Sequence, residues 1–479
     1  MYKESELIKK SEESKEKKPS QEDFHHGTDL NISITCENIK NISQDIRNKE
    51  RKSVFESEFS SIVIIGIEGI NLNYEIVSKA FCNGGSNIMM YFASDTEGSR
   101  IDDILQEIDF KSTLFIISCK TFIDTDTKLS VEAVKKFILK KIDEYNNDSD
   151  SDEFISFDFY AETHFLAVSN NRKLLKDLCI SKHNTIYYQN YFDDSRFSLW
   201  SEMALPMSIY MGFENYYLFL EGCHIMDMHF RYNPIDNNMP VIMALLDFWY
   251  ENFCGAKTFP ILPYDHRLST FATNFQRIDT EPEKKESICA NLNLEHEIWP
   301  SIWSEDKGNI HSLLNQLIHQ EKKVIPCDLI AAVKCPKSAS DILSDKLILS
   351  NFFALSEALM KGSGHCKTLT SATLDDSSNV DDQVDNVHVN KAYAGNKPSN
   401  SIMITSDINP FTLGLLVSLY EHRKNIRDIL NNDKIIHCKD IKLVNYFAKK
   451  ILTELNDNMK VDSHDNSTNE LINFYKNNS

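Results

Sequence analysis

PVIMALLDFWYENFCGAKTFPILPYDHRLSTFATNFQ, residues Pro240 to Gln276, decides the architecture. Val241, Leu245, Phe248 and Trp249 recur at i, i+4, i+7 and i+8, which predicts a helix with one apolar face. The run FPILPYD that follows is short, apolar and bounded by proline, so it reads as a buried strand. It ends at Pro263-Tyr264-Asp265 and gives way to a helix from His266 to Gln276. That is a βα unit, and such units carry their chemistry at the carboxyl ends of their strands.

The same grammar extends in both directions. Ser61-Ile62-Val63-Ile64-Ile65 has the composition of a fully buried strand, and Gly66-Ile67-Glu68-Gly69 turns it into a helix from about Leu72. Ile88 to Phe92, Leu114 to Ser118, Phe165 to Val168 and Ile186 to Tyr188 read as further strands alternating with helices. Phe259 to Leu262, Lys323 to Pro326 and Ser401 to Thr405 are the strand candidates of a second set. Strand and helix in alternation predict an α/β fold with parallel, doubly wound sheets. The expected division is a poorly ordered segment 1–44, a first α/β domain 45–205, a second 206–440, and a C-terminal helix and tail 441–479. Residues 1–44 are polar without a sustained apolar period, and a Ser/Asp-rich insertion at 362–390 is expected to be a surface loop. Ile441 to Glu454 predicts a helix with Leu443, Phe447, Ile451 and Leu452 on one face.

Composition bounds the function. A chain of 479 residues suits two or three domains, and 42% hydrophobic with 25% charged residues is ordinary for a soluble protein. No apolar run approaches the ~18 residues of a membrane span. The charged start MYKESELIKKSEESKEKK has no apolar core of a secretory signal, so a cytoplasmic location is expected, with no membrane partner. The 11 cysteines show no C-x-x-C spacing, which points to reduced thiols and to no metal site. A net charge of −20 argues against nucleic acid as a partner. It also disfavours an anionic substrate unless basic groups are concentrated locally.

Several blocks resemble the glucose-6-phosphate isomerase family of phosphosugar isomerases. They are FDDSRFSLWS, IPCDLIAAVK, ILSNFFALSEALMKG, YAGNKPSNSIMIT, NPFTLGLLVSLYEH and SHDNSTNELINFYK, together with the stretch quoted first. Their order is kept from about Asp45 to the C-terminus. The resemblance implies two phosphosugar-isomerase (SIS-type) domains, a sugar-phosphate substrate, no cofactor, and a dimer with itself or with a paralogue.

An aldose–ketose isomerase must grip a phosphate, open a sugar ring, move a proton between adjacent carbons and stabilise an enediolate. By the resemblance Glu281 is the proton-transfer base and Arg196 the cation for the enediolate. By itself a glutamate between Thr280 and Pro282 reads as a solvated loop residue, and Arg196 as a salt-bridged boundary arginine. The ring-opening histidine of the family falls on Ser312, beside His311, and its lysine falls on Asn445, whose amide cannot donate as an ammonium does.

The grip departs further. The family's G-I-G-G-S-D turn is Gly66-Ile67-Glu68-Gly69-Ile70-Asn71, and its S-K-T-F-T-T run is Cys119-Lys120-Thr121-Phe122-Ile123-Asp124. Gly69, Lys120 and Thr121 keep the substrate-binding pattern, while Ile70, Cys119 and Asp124 replace hydroxyls. Asp194-Ser195 replaces a glycine pair, and Arg277 and Cys438 replace two polar side chains. Glu68, Asp124 and Asp194 thus add carboxylates to a site for a dianion. One like-charge pair at ~4 Å costs on the order of 4 kcal/mol at an effective dielectric near 20, about three decades of affinity. The expectation is an isomerase homologue with weak or lost activity. A working isomerase, or a scaffold that dimerises with an intact paralogue, are the alternatives.

Overall fold

The computed structural model describes residues 26–66, 70–81, 88–93, 98–119, 125–148, 154–187, 199–256, 258–280, 324–333, 342–362, 395–430, 439–457 and 459–478. They belong to two compact units, Met1–Thr280 with Ile298–Asn431 and Glu281–Glu297 with Asn432–Ser479.

The first unit opens with helix α1 (His26–Arg47), strand β1 (Ser61–Ile65), α2 (Ile70–Ala80), β2 (Met89–Ala93) and α3 (Gly98–Glu107). It continues with β3 (Thr113–Ser118), α4 (Thr125–Asp148), α5 (Phe157–His164), β4 (Phe165–Val168), α6 (Arg172–Asp177) and β5 (Thr185–Ile186). These strands form one parallel sheet in the order β2-β1-β3-β4-β5. Every residue of β1, β3 and β4 is buried, as the unbroken apolar runs predict for strands covered on both faces. Successive side chains alternate between two cores. Ile62, Ile64, Leu114, Ile116, Leu166 and Val168 meet α1 and α2, while Val63, Ile65, Phe115, Ile117, Phe165 and Ala167 meet α3 to α6.

A second set follows: α7 (Leu205–Met211), α8 (Phe213–Tyr232), α9 (Met239–Cys254), β6 (Ile261–Pro263), α10 (Phe271–Thr280), β7 (Cys327–Ala332), α11 (Ile342–Lys361), β8 (Ser399–Ile404) and α12 (Pro410–Leu430). Its sheet is parallel, in the order β6-β7-β8. Helices α8 and α12 touch backbone to backbone. A Cβ on Gly222 would lie 2.0 Å from the Phe411 carbonyl oxygen, and one on Gly414 would lie 2.1 Å from that of Phe219. Arg423 of α12 ties this layer together from inside. It pairs with Asp247 of α9 and Asp328 of β7, and Asp328 also accepts from Tyr420 Oη at 2.7 Å and Asn400 Nδ2 at 2.8 Å.

In the second unit, α13 (Lys439–Leu455) is followed by α14 (Asn466–Asn478). Asp465 caps α14 by accepting from the Ser467 and Thr468 amides, and Lys476 closes onto the Glu454 carbonyl at 2.8 Å.

Three expectations need correction. Residues 26–44 are not poorly ordered: they form most of α1, and Ile39, Ser43 and Ile46 are buried. Ser43 Oγ donates to the Ser208 carbonyl at 2.8 Å, and Arg47 donates to the Ile209 and Tyr210 carbonyls, capping the end of α7. A narrow apolar stripe in an otherwise polar helix escaped the period test. Residues 1–25 lie outside the described residues, as does most of the 362–390 insertion.

The middle strand of the second set begins later than read. Residues 324–326 are not in a strand, and β7 starts at Cys327, so Pro326 precedes the strand instead of closing it. Helix α9 turns its other face inward: Pro240, Met243, Ala244 and Asp247 are buried, while Leu245 is 41% and Trp249 54% exposed. The pairing of Asp247 with Arg423 fixes that rotation, and hydropathy alone counts an aspartate as outward-facing.

Candidate active site at the switch point of the first sheet

Chain order runs from β1 outward to β2, then back across β1 to β3. Open α/β sheets bind ligands in the crevice at such a reversal, here at the carboxyl ends of β1 and β3. Gly66 leaves β1 there. A Cβ at this position would lie 2.1 Å from the Ser118 carbonyl oxygen, so no side chain fits while the two strand exits stay this close.

Several described residues lie beneath the exits of β1 and β3. Ser118 ends β3, and its Oγ lies 3.4 Å from Tyr74 Oη and 3.1 Å from Met203 Sδ. Tyr74, in the second turn of α2, donates to the Met203 carbonyl. Burial pushes its phenol well above the usual range, against the opposing hydrogen bond to Ser118, so it stays a neutral donor.

Cys119 follows Ser118 and is 1% exposed. Its side chain packs into the core under α3 to α6, with Sγ 3.7 Å from Ser169 Oγ at the exit of β4. The thiol therefore faces the packed layer and not the crevice. A sulfur in place of a hydroxyl was legible in the sequence, but the direction it points was not.

A second group of residues comes to the same region from the other sheet. Helix α2 packs against the single turn His266–Leu268 and against α10. In that turn Asp265 accepts from the Arg267 amide and binds its guanidinium at 2.7–3.0 Å. Arg267 also reaches Asp407 at 2.6 Å and the Ile408 carbonyl at 3.2 Å, joining the exits of β6 and β8. Burial alone would lower the Arg267 pKa, but the two carboxylates outweigh it and hold the guanidinium firmly charged. Sequence reasoning missed this clamp. Its signal was an Asp-x-Arg directly after a strand, with a second aspartate after a distant one.

The remaining site positions divide by what the structure describes. Ile70 is the first residue of α2, Arg277 lies within α10, and Asn445 lies within α13. Glu281 follows directly on α10 and lies outside the described residues, as do Glu68, Gly69, Lys120, Thr121, Asp124, Asp194, Arg196, His311, Ser312 and Cys438. Among the described residues no group of three or more His, Cys, Asp or Glu is placed to hold a metal ion. No described helix is long and apolar enough to cross a membrane.

Comparison with known proteins agrees with this fold. Among solved structures, a glucose-6-phosphate isomerase from Chlamydia trachomatis superposes with a TM-score of 0.69 at 21% identity, covering 93% of this chain and 77% of that one. The hypothetical protein TT0462 from Thermus thermophilus gives 0.61 at 14% identity, covering 94% and 95%. At these identities the likeness establishes the fold. The sequence itself matches the family described as phosphoglucose isomerase over residues 14–472, nearly its whole length, and the chain belongs to that family.

Proposed function

We propose that this chain is a phosphoglucose isomerase homologue that grips sugar phosphate weakly and whose aldose–ketose isomerisation is weak or lost. The observation that carries the reading is Cys119. Where the resemblance expects a hydroxyl for the phosphate, the chain has a thiol buried in the core beside Ser169. That removes a donor from the crevice, and Ile70 for a serine removes another. By the resemblance, the carboxylates of Glu68, Asp124 and Asp194 oppose a dianion at this grip, with Lys120 and Arg277 as partial compensation.

Ring opening loses its acid and base together, since Ser312 and Asn445 stand where the family has histidine and lysine. The proton-transfer half is retained in type: Glu281 to carry the proton between adjacent carbons, Arg196 to meet the enediolate charge. That retention favours a second reading, a working isomerase acting on the open-chain sugar with a rearranged grip. The family resemblance also supports a dimer, with a second copy or with a paralogue.

The two readings separate in a coupled assay of fructose 6-phosphate conversion on purified protein, run beside calorimetric titration of the same sugar. The proposal expects a rate near background and no tight site. Steady turnover with a micromolar dissociation constant would establish the working enzyme instead.

A further inference from the structure

We propose that Tyr74 is a positioning residue for the phosphate end of this site, acting through the start of α2 and touching no ligand itself. The inference rests on the functional reading above, which places the phosphate at the exits of β1 and β3 and the first turn of α2.

Tyr74 is 1% exposed, so its hydroxyl cannot meet a ligand in the crevice. What it does meet is the frame around the crevice. Its hydroxyl donates to the carbonyl of Met203, in the single turn Glu202–Ala204. The same oxygen lies 3.4 Å from Ser118 Oγ, on the last residue of β3. Its ring stacks on Phe92 of β2 with centroids 6.3 Å apart. One side chain from the second turn of α2 thus touches the strands on both sides of β1 and the turn that leads into α7.

The consequence is geometric. The first amides of a helix have no partner within the helix and are its means of binding an anion. Their aim depends on where the helix starts relative to the strand exits. At that level the β1 exit is already fixed against β3, because Gly66 presses on the Ser118 carbonyl. Tyr74 fixes the remaining element, α2, to that same serine. Removing the hydroxyl leaves the Met203 carbonyl without this donor and releases the height and rotation of the helix start, while the apolar packing of the ring persists.

The test is Tyr74→Phe in the full-length protein, read in two ways. Hydrogen exchange should speed up about tenfold at the first intrahelical amides of α2, those of residues 74–77, which close its first turn, with β1 and β3 as protected as in the wild type. Inorganic phosphate, titrated by phosphorus NMR, should bind about five- to tenfold more weakly, the scale of one buried hydrogen bond. Unchanged exchange at the start of α2, or an increase spread equally over β1 and β3, overturns the positioning role. So does a faster local exchange with phosphate affinity unaltered. A wild-type protein that does not respond to phosphate agrees with the weak grip proposed above and overturns the phosphate role of Tyr74, and the exchange measurement still decides whether Tyr74 holds the helix. Should Tyr74→Phe not fold, Ser118→Ala removes the neighbouring hydroxyl and must raise exchange at the same turn.

Discussion

Arg423 grips Asp247 with two parallel hydrogen bonds, Nε to Oδ2 at 2.5 Å and Nη2 to Oδ1 at 2.6 Å, and both side chains are out of water. The guanidinium also stacks 4.4 Å from the ring of Phe259 and donates to Asp328, the second residue of β7. Burial pushes the Asp247 carboxyl up, and Arg423 works against it. Replacing the arginine strands two buried carboxylates at once. Arg423→Met is therefore expected to cost about 3–5 kcal/mol in urea denaturation, the range for breaking one side of a buried pair. A loss below about 1 kcal/mol would mean that the aspartates take up protons without strain.

His164 makes stability depend on acid. Its Nδ1 donates to the Thr113 carbonyl at 2.8 Å and its Nε2 accepts from the Val54 amide at 3.3 Å, an arrangement that only the neutral ring can make. Burial, aided by the nearby charge of Arg51 and opposed by the Thr113 bond, lowers its pKa from 6.5 to about 4. The unfolded chain takes up this proton first as the pH falls. The contribution of His164 is thus fully present above about pH 6.5 and is lost progressively down to about pH 4, a total on the order of 3 kcal/mol. His164→Gln removes the titration. The gap in denaturation free energy between wild type and variant should narrow from pH 7 to pH 4.5, and a constant gap would refute the linkage.

Helix α1 is expected to be part of the folded core. Ile39 and Ile46 are buried in the cluster that also holds Ile62 and Leu205, and burying each contributes about 1.5–3 kcal/mol. Deleting residues 1–47 also removes the Arg47 cap on α7. Such a deletion should lower the melting temperature by at least ~5 °C. An unchanged melting curve would show that α1 adds nothing to the core.

How far the sequence could be read depended on which interactions are local. Strands β1, β3 and β4 are unbroken apolar runs, and a residue buried on both faces announces itself without reference to the rest of the chain. The inner face of α9 did not, because it is set by Asp247 meeting an arginine 176 residues away. Pro326 was read as a stop when it is the residue before a start, since proline marks either edge of a strand. At the site, the identities of the replaced residues were legible by resemblance. The inward turn of Cys119 was not, and neither was the bond from Tyr74 to Met203, which joins residues 129 apart. Both depend on packing that only the assembled sheet supplies.

Rescue separates loss of chemistry from loss of grip. If Glu281 and Arg196 are still placed as base and cation, the enediol half of the mechanism needs only its substrate back. Ser312→His with Asn445→Lys should restore little alone, because the sugar phosphate still meets the Glu68, Asp124 and Asp194 carboxylates. Cys119→Ser alone should also do little, since the hydroxyl would sit in the buried position of the thiol. Adding Glu68→Gly, Ile70→Ser and Asp124→Thr to all three should raise the initial rate of fructose 6-phosphate conversion by far more than the separate gains multiplied, as groups that act as a unit do. Glu281→Gln in that background should return the rate to background, because an amide cannot accept the carbon-bound proton. A fully substituted protein that folds and stays silent would show that Glu281 is not where the base must be. The restriction that Pro282 places on Glu281 would then be the first cause to remove.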